Sequence, residues 1–132
     1  LIERLQELNA RAPKQSEARK ARFEARGQLT PRARLARLLD PGMPFFEIGN
    51  IAGYMTDTDV EEKSIPGSTI MSGIGFVEGV RCSIVVDDSG IKAGALTGPG
   101  GYRLRRAQEI SLEQKLPFIH LLSHYTLGHI QL

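Results

Sequence analysis

Thr69-Ile70-Met71-Ser72-Gly73-Ile74-Gly75-Phe76-Val77-Glu78-Gly79-Val80-Arg81-Cys82-Ser83-Ile84-Val85-Val86 is the stretch on which the fold turns. Two runs rich in Val, Ile and Phe, Thr69 to Val77 and Val80 to Val86, are separated by Glu78-Gly79. Two residues ending in Gly between such runs predict a β-hairpin, because the tight turn needs positive-φ backbone that Gly adopts freely. Gly73 and Gly75 inside the first run predict a close backbone approach or a bulge.

Downstream, residues 87–101 form a Gly-rich connection. Tyr102 to Lys115 reads as a helix, with Leu104, Ala107, Ile110 and Leu112 available for packing, and Leu116-Pro117 ends it. Phe118-Ile119-His120-Leu121-Leu122 is a short, nearly all-apolar run and predicts a buried strand, whereas Ser123–Leu132 shows no period. A helix between two strands implies a right-handed crossover and parallel pairing, hence an α/β architecture.

Upstream, Phe45-Phe46-Glu47-Ile48 is a short strand candidate, and residues 53–67 read as a polar, acidic surface loop. The first 40 residues read as helix. Leu1, Leu5 and Leu8 recur at helical spacing, and Pro13 is expected to end that stretch. Ser16 to Arg26 is rich in helix formers, with Gly27 as the stop. Thr30 is suited to cap the next helix and Pro31 to open it, since the missing N–H costs nothing there. Leu35, Leu38 and Leu39 then form one stripe, and Asp40-Pro41-Gly42 closes it.

With 132 residues, 41% hydrophobic and 24% charged, the chain is one domain or a piece of a larger one. No apolar run approaches the roughly 18 residues a spanning helix needs, so no membrane association is expected. Leu1-Ile2-Glu3-Arg4 lacks a signal core, and the single Cys82 can form neither an internal disulfide nor a zinc ribbon, so a cytoplasmic location is expected. The net charge of +2 divides into +6 over residues 1–37 and −4 over residues 38–132. The basic segment alternates with Glu and Ala and holds one aromatic, Phe23. It therefore reads as a solvated helical surface, and nucleic acid is not expected as a partner.

The residues offer few conventional catalytic groups. Gly73-Ile74-Gly75-Phe76-Val77-Glu78-Gly79 only superficially matches a dinucleotide fingerprint, since its third Gly is one residue late and precedes a hairpin rather than a helix. His120, His124 and His129 lack the fixed spacing of a metal site, so no metal is expected. Cys82 reads as a small buried hydrophobe, and no Gly-x-Ser-x-Gly elbow is present. Lys92–Gly101 is more informative. It follows a strand and opens a helix, where backbone N–H groups can hold a phosphate or an oxyanion. On spacing alone that reading stands level with an ordinary long loop. Arg103, Arg105 and Arg106 at the head of a helix oppose its dipole, which calls for an anion or for carboxylates such as Asp87 and Asp88, with solvent accounting for at least two of them.

Four segments in order resemble the N-terminal part of the carboxyltransferase (β) subunits of biotin-dependent acyl-CoA carboxylases of the propionyl-, methylcrotonyl- and geranyl-CoA type. They are Gly27 to Leu35 with Leu38 to Gly42 and Phe46-Glu47; Gly73 to Val80; Asp88 to Ala95, where the family more often has Lys-Gly-Gly; and Arg106 to Ile119. Together they span about residues 1–122. The chain departs from the family after Leu122. A Ser-Gly-Gly-Ala type turn is usual there, but Ser123-His124-Tyr125-Thr126 stands in its place.

The resemblance implies a ClpP/crotonase-like spiral of ββα units, incomplete and preceded by N-terminal helices. The expected division is a helical segment over 1–44, a partial acyl-CoA carboxyltransferase domain over 45–122 and an atypical tail over 123–132. The implied reaction, classed with the ligases, moves a carboxyl group from carboxybiotin to the α-carbon of an acyl-CoA, through an enolate stabilised by backbone N–H donors. Acyl-CoA is the implied substrate, and biotin is implied on a separate carrier protein or subunit. Lys92, Ala93, Gly94 and Ala95 are the expected acyl-CoA contacts, with Gly100 and Gly101 beside them, and Asp87 and Asp88 order the loop. The implied partners are a biotin carboxylase or biotin carrier subunit and further copies of the chain. The alternative is a catalytically inactive remnant that acts by binding or oligomerisation, and the chain alone is expected to be inactive.

Overall fold

The computed structural model describes residues 1–56, 58–67, 69–89 and 98–122. The predicted hairpin forms its centre. Strand β2 (Ile70–Val77) and strand β3 (Val80–Asp87) pair antiparallel across Glu78-Gly79. Both turn residues have positive φ, 51° and 77°, as the right-handed twist of the flanking strands favours. Strand β1 (Phe46–Glu47) joins β2 antiparallel, and strand β4 (Phe118–Leu121) joins β3 in parallel, so the sheet runs β1-β2-β3-β4. The parallel pairing expected from the strand–helix–strand order is present.

Register divides the sheet into two faces. On one, Met71, Cys82, Ile84 and Val86 pack with Leu35 of helix α3 (Pro31–Leu38) and with Ile119 and Leu121. On the other, Ile70 and Val85 pack with Ala107 and Leu104 of helix α4 (Gly98–Gln114). Ile84, Val85 and Val86 are fully buried because β3 is covered on both faces. The two strand glycines do what their position suggests. A Cβ at Gly73 would stand 2.5 Å from Phe45 Cζ and from the Phe46 carbonyl oxygen, and one at Gly75 would stand 2.5 Å from Leu39 Cδ2.

Three expectations are corrected. Helix α1 (Ile2–Glu17) runs through Pro13 rather than ending there. It is held at both sides of the proline: Leu8 and Ser16 are buried, and Arg11 Nη1 donates to the carbonyls of Glu61 and Ser64 at 2.7 and 2.8 Å. The predicted Ser16–Arg26 helix is split, since α1 stops at Glu17 and helix α2 (Lys20–Ala25) begins afresh. Strand β4 is not a buried strand. It has one paired neighbour among the described residues, and Phe118 and the following Leu122 are 37% and 52% exposed.

The punctuation between helices is as read. Gly27 has φ 67°, and the N–H groups of Gly27 and Gln28 bond back to the carbonyls of Glu24 and Phe23, a double closure that ends α2. Thr30 Oγ1 accepts the Ala33 N–H at 3.2 Å and Pro31 opens α3. Asp40 does more than close α3. Its two carboxylate oxygens accept the N–H groups of Glu78 and Gly79, each at 2.7 Å, so the Asp40 corner clamps the hairpin turn.

Candidate functional site at the carboxyl ends of β3 and β4

Because β3 and β4 are parallel, with Val86 opposite Leu121, their carboxyl ends lie side by side. Ligands of open α/β sheets bind beyond such ends. A cavity of about 320 Å³ opens there, bounded by Phe23, Leu29, Pro31, Arg34, Ser89 and Leu122. Its far wall is the α2–α3 junction, shaped by the Gly27 closure and the Thr30 cap. Arg34 Nη1 donates to the Leu122 carbonyl at 3.2 Å, so a cation of α3 fastens the end of β4 beside the cavity.

Two successive carboxylates leave β3 in different directions. Asp87 Oδ1 lies 2.8 Å from His120 Nε2, linking the ends of β3 and β4. Asp88 accepts from Ser16 Oγ at 3.1 Å, and its own N–H bonds to the Thr69 carbonyl at 2.7 Å. Both aspartates therefore fasten the strand end to neighbouring elements. An Asp–His pair can also hold or pass a proton at the second ring nitrogen. Cys82 is 2% exposed on the opposite side of the sheet from α4, and burial pushes its thiol pKa up, which disfavours the thiolate.

Of the residues expected to contact acyl-CoA, Lys92, Ala93, Gly94 and Ala95 lie outside the described residues. Gly100 and Gly101 are described, and they belong to the first turn of α4 rather than to a loop, because that helix begins at Gly98, ahead of the expected Tyr102. The same early start resolves the three arginines. They lie beyond the first turn, where the dipole conflict has faded. Arg105 and Arg106 are exposed and pair with Glu109 at 3.3 and 3.2 Å. Arg103 is 5% exposed, and its guanidinium donates to the carbonyls of Gly67, Ile70 and, at 2.7 Å, Ile48, with Glu47 3.8 Å away. Burial lowers its pKa to about 10, so it stays charged at neutral pH. Sequence reasoning missed this inward arginine; the only signal was the unexplained cluster of three.

The carboxyl transferase domain family matches residues 22–126. The chain belongs to that family. It is 39% identical over 107 residues to the biotin-dependent 3-methylcrotonyl-coenzyme A carboxylase beta1 subunit of Mycobacterium tuberculosis, covering 81% of this chain and 20% of that protein. It is 36% identical over 101 residues to the mitochondrial methylcrotonoyl-CoA carboxylase beta chain of Arabidopsis thaliana, covering 76% of this chain and 16% of that one. The Pseudomonas aeruginosa geranyl-CoA carboxylase beta subunit superposes with a TM-score of 0.83 at 38% identity, over 92% of this chain and 22% of that chain. The transcarboxylase 12S subunit, at 24% identity and a TM-score of 0.76 over 90% of this chain and 23% of that one, shares the fold. The architecture is thus the crotonase-like α/β fold of carboxyltransferases. The chain spans about a fifth of the length of the curated relatives it matches. These matches lend no support to the inactive-remnant alternative. Among the described residues, no helix is long and apolar enough to cross a membrane.

Proposed function

We propose that this chain supplies part of the acyl-CoA side of a biotin-dependent carboxyltransferase, in which a carboxyl group passes from carboxybiotin to the α-carbon of an acyl-CoA. The observation that carries the reading is the cavity at the joined ends of β3 and β4, bordered by Ser89, which belongs to the family-like Asp88-to-Ala95 segment. The apolar side chains of Phe23, Leu29 and Pro31 suit a hydrocarbon portion of the substrate, and about 320 Å³ is at the low end of small-molecule sites, enough for one part of it. Lys92, Ala93, Gly94 and Ala95, with Gly100 and Gly101, are the proposed contacts. Their small side chains would let the thioester approach backbone donors, which stabilise an enolate without any side chain reacting.

Biotin, borne by a separate carrier protein or subunit, would supply the carboxyl group. In this division 1–44 buttresses the site, 45–122 forms part of the carboxyltransferase domain and 123–132 is a tail. The half-exposed edge of β4 favours pairing with another copy or another segment, so self-association is proposed as well. Light scattering on dilution tests that last point, and a monomer at every concentration would refute it.

The decisive experiment for the substrate is a titration of ¹⁵N-labelled chain with coenzyme A and with a short acyl-CoA. Saturable shifts at the Ser89, Gly100 and Gly101 amides are expected. Shifts confined to the distant Glu61–Lys63 turn, or none, would overturn the reading.

A further inference from the structure

A second cavity, of about 210 Å³, lies on the other side of the molecule's sheet, between α4 and the turn that follows β1. Ile48, Ala52, Ala107 and Ile110 give it apolar walls, and exposed Tyr102 stands at its mouth. The hydroxyls of Ser72 and Ser83, which also border it, spend their protons on the carbonyls of Ile48 and Ala107 at 3.1 and 3.0 Å. Among the described residues that border it, one buried side-chain donor is left over. Arg103 Nε is buried and has no hydrogen-bond partner among the described residues. It lies 3.3 Å from where a Cβ on Gly49 would stand, and Gly49 is itself part of the cavity wall. A buried donor without an acceptor is costly, so such a group marks a place where an acceptor belongs.

The donor's own charge indicates which acceptor, because a guanidinium N–H bonds most strongly to an anion. Arg103 and Arg32 each place a guanidinium nitrogen 3.8 Å from the same Glu47 oxygen. Asp88, 4% exposed, borders the same group of Arg32, Glu47 and Arg103, so two carboxylates stand with the two guanidinium groups. Arg32 Nε is buried and unpartnered among the described residues as well. Water could satisfy a lone donor, but it gains little from four hydrocarbon walls, and a carboxylate makes the stronger bond to a guanidinium N–H.

We infer that this cavity binds a small carboxylic acid with a compact hydrocarbon body, its carboxylate oxygen accepting from Arg103 Nε and its body resting on Ile48, Ala52, Ala107 and Ile110. The site is separate from the crevice at the ends of β3 and β4. A rigid matched pair of probes separates charge from shape: cyclopentanecarboxylate and cyclopentylamine, each titrated into ¹⁵N-labelled chain. The acid is expected to saturate shifts at Gly49, Ala52 and Ala107 with a Kd of about 1–10 mM, as suits a ligand of so few atoms. The amine should leave those amides unmoved. Ala52→Leu fills the cavity and should weaken the acid about tenfold or more while the thermal melt is kept; should that variant fail to fold, Ile110→Phe fills the opposite wall and carries the same expectation. No saturable shift, equal binding of the amine, shifts at Ser89 and Gly100 instead, or undiminished binding by a folded cavity-filled variant would each overturn the assignment.

Discussion

Asp40→Ala removes the clamp on the hairpin turn without touching either strand. The aspartate accepts two backbone N–H groups, from Glu78 and Gly79, at 2.7 Å each. Bonds to a charged acceptor contribute about 1.5–3 kcal/mol each when sheltered. Here both are exposed to solvent, and the freed N–H groups can turn to water, which reduces each to about 1 kcal/mol. The expected loss is therefore about 2 kcal/mol. For a chain of this length, with an unfolding entropy of about 2 cal/mol/K per residue, that lowers Tm by about 7 °C. Asp40→Asn tests the direction of the bonds. Its amide keeps one acceptor but aims a second donor at a donor, so it should lose at least half as much as Asp40→Ala. Asp59→Ala, on the exposed acidic loop, is the control and should leave Tm unchanged. Melting followed by circular dichroism reads all three. An Asp40→Ala chain that melts with the parent, or an Asp40→Asn chain as stable as the parent, would refute the clamp.

Gly73→Ala should cost about 2–3 kcal/mol in denaturant unfolding, because its Cβ meets the Phe46 backbone carbonyl, which cannot step aside as a side chain can. Gly79→Ala meets nothing within 4 Å yet sits at φ 77°, so it should cost only about 1 kcal/mol, from backbone strain alone. The pKa of Cys82 is raised by burial, so its contribution is fully present below the unfolded thiol pKa and is lost as pH rises through the folded one. Stability should therefore fall on the alkaline side, and Cys82→Ala should flatten that slope in pH-dependent denaturant melts. Ser16→Ala removes a buried hydroxyl bonded to Asp88, and about 1–2 kcal/mol should be lost, read as a lower denaturant midpoint at unchanged slope.

Much of the fold was legible wherever a local rule coincided with the tertiary demand. Glu78-Gly79 specified its hairpin, Thr30-Pro31 its helix start and Gly27 its helix stop, because each acts through its own backbone. Gly73 and Gly75 were recognisable as sites of close approach, although not that Phe45 and Leu39 fill the space. Pro13 misled because a proline's cost is fixed while the packing that outweighs it, Leu8, Arg11 and Ser16 against distant segments, is invisible in local sequence. The start of α4 was placed too late because Gly98-Pro99-Gly100-Gly101 has low helix propensity, and the packing of Leu104 and Ala107 on the sheet overrides it. Arg103 and Asp40 were illegible for a shared reason: their acceptors and donors are backbone groups contributed by other elements, which carry no side-chain signature. Phe118–Leu121 read as buried because an apolar run records what a strand is built to meet, not what stands beside it among the described residues.

The order of assembly is written into the sheet's connections. Closing β2 on β3 requires only the two-residue turn, and the Asp40 clamp reaches it from an adjoining helix end. Joining β4 to β3 requires the whole crossover through α4. Loop closure grows costlier with span, and non-local pairings are the slow ones. The hairpin is therefore expected to form first and the parallel strand last. Substitutions at the turn should slow refolding, whereas those in β4 should chiefly hasten unfolding. A chain emerging gradually from the ribosome would hold a finished ribbon before β4 exists, leaving the flank of β3 as the exposed template during synthesis.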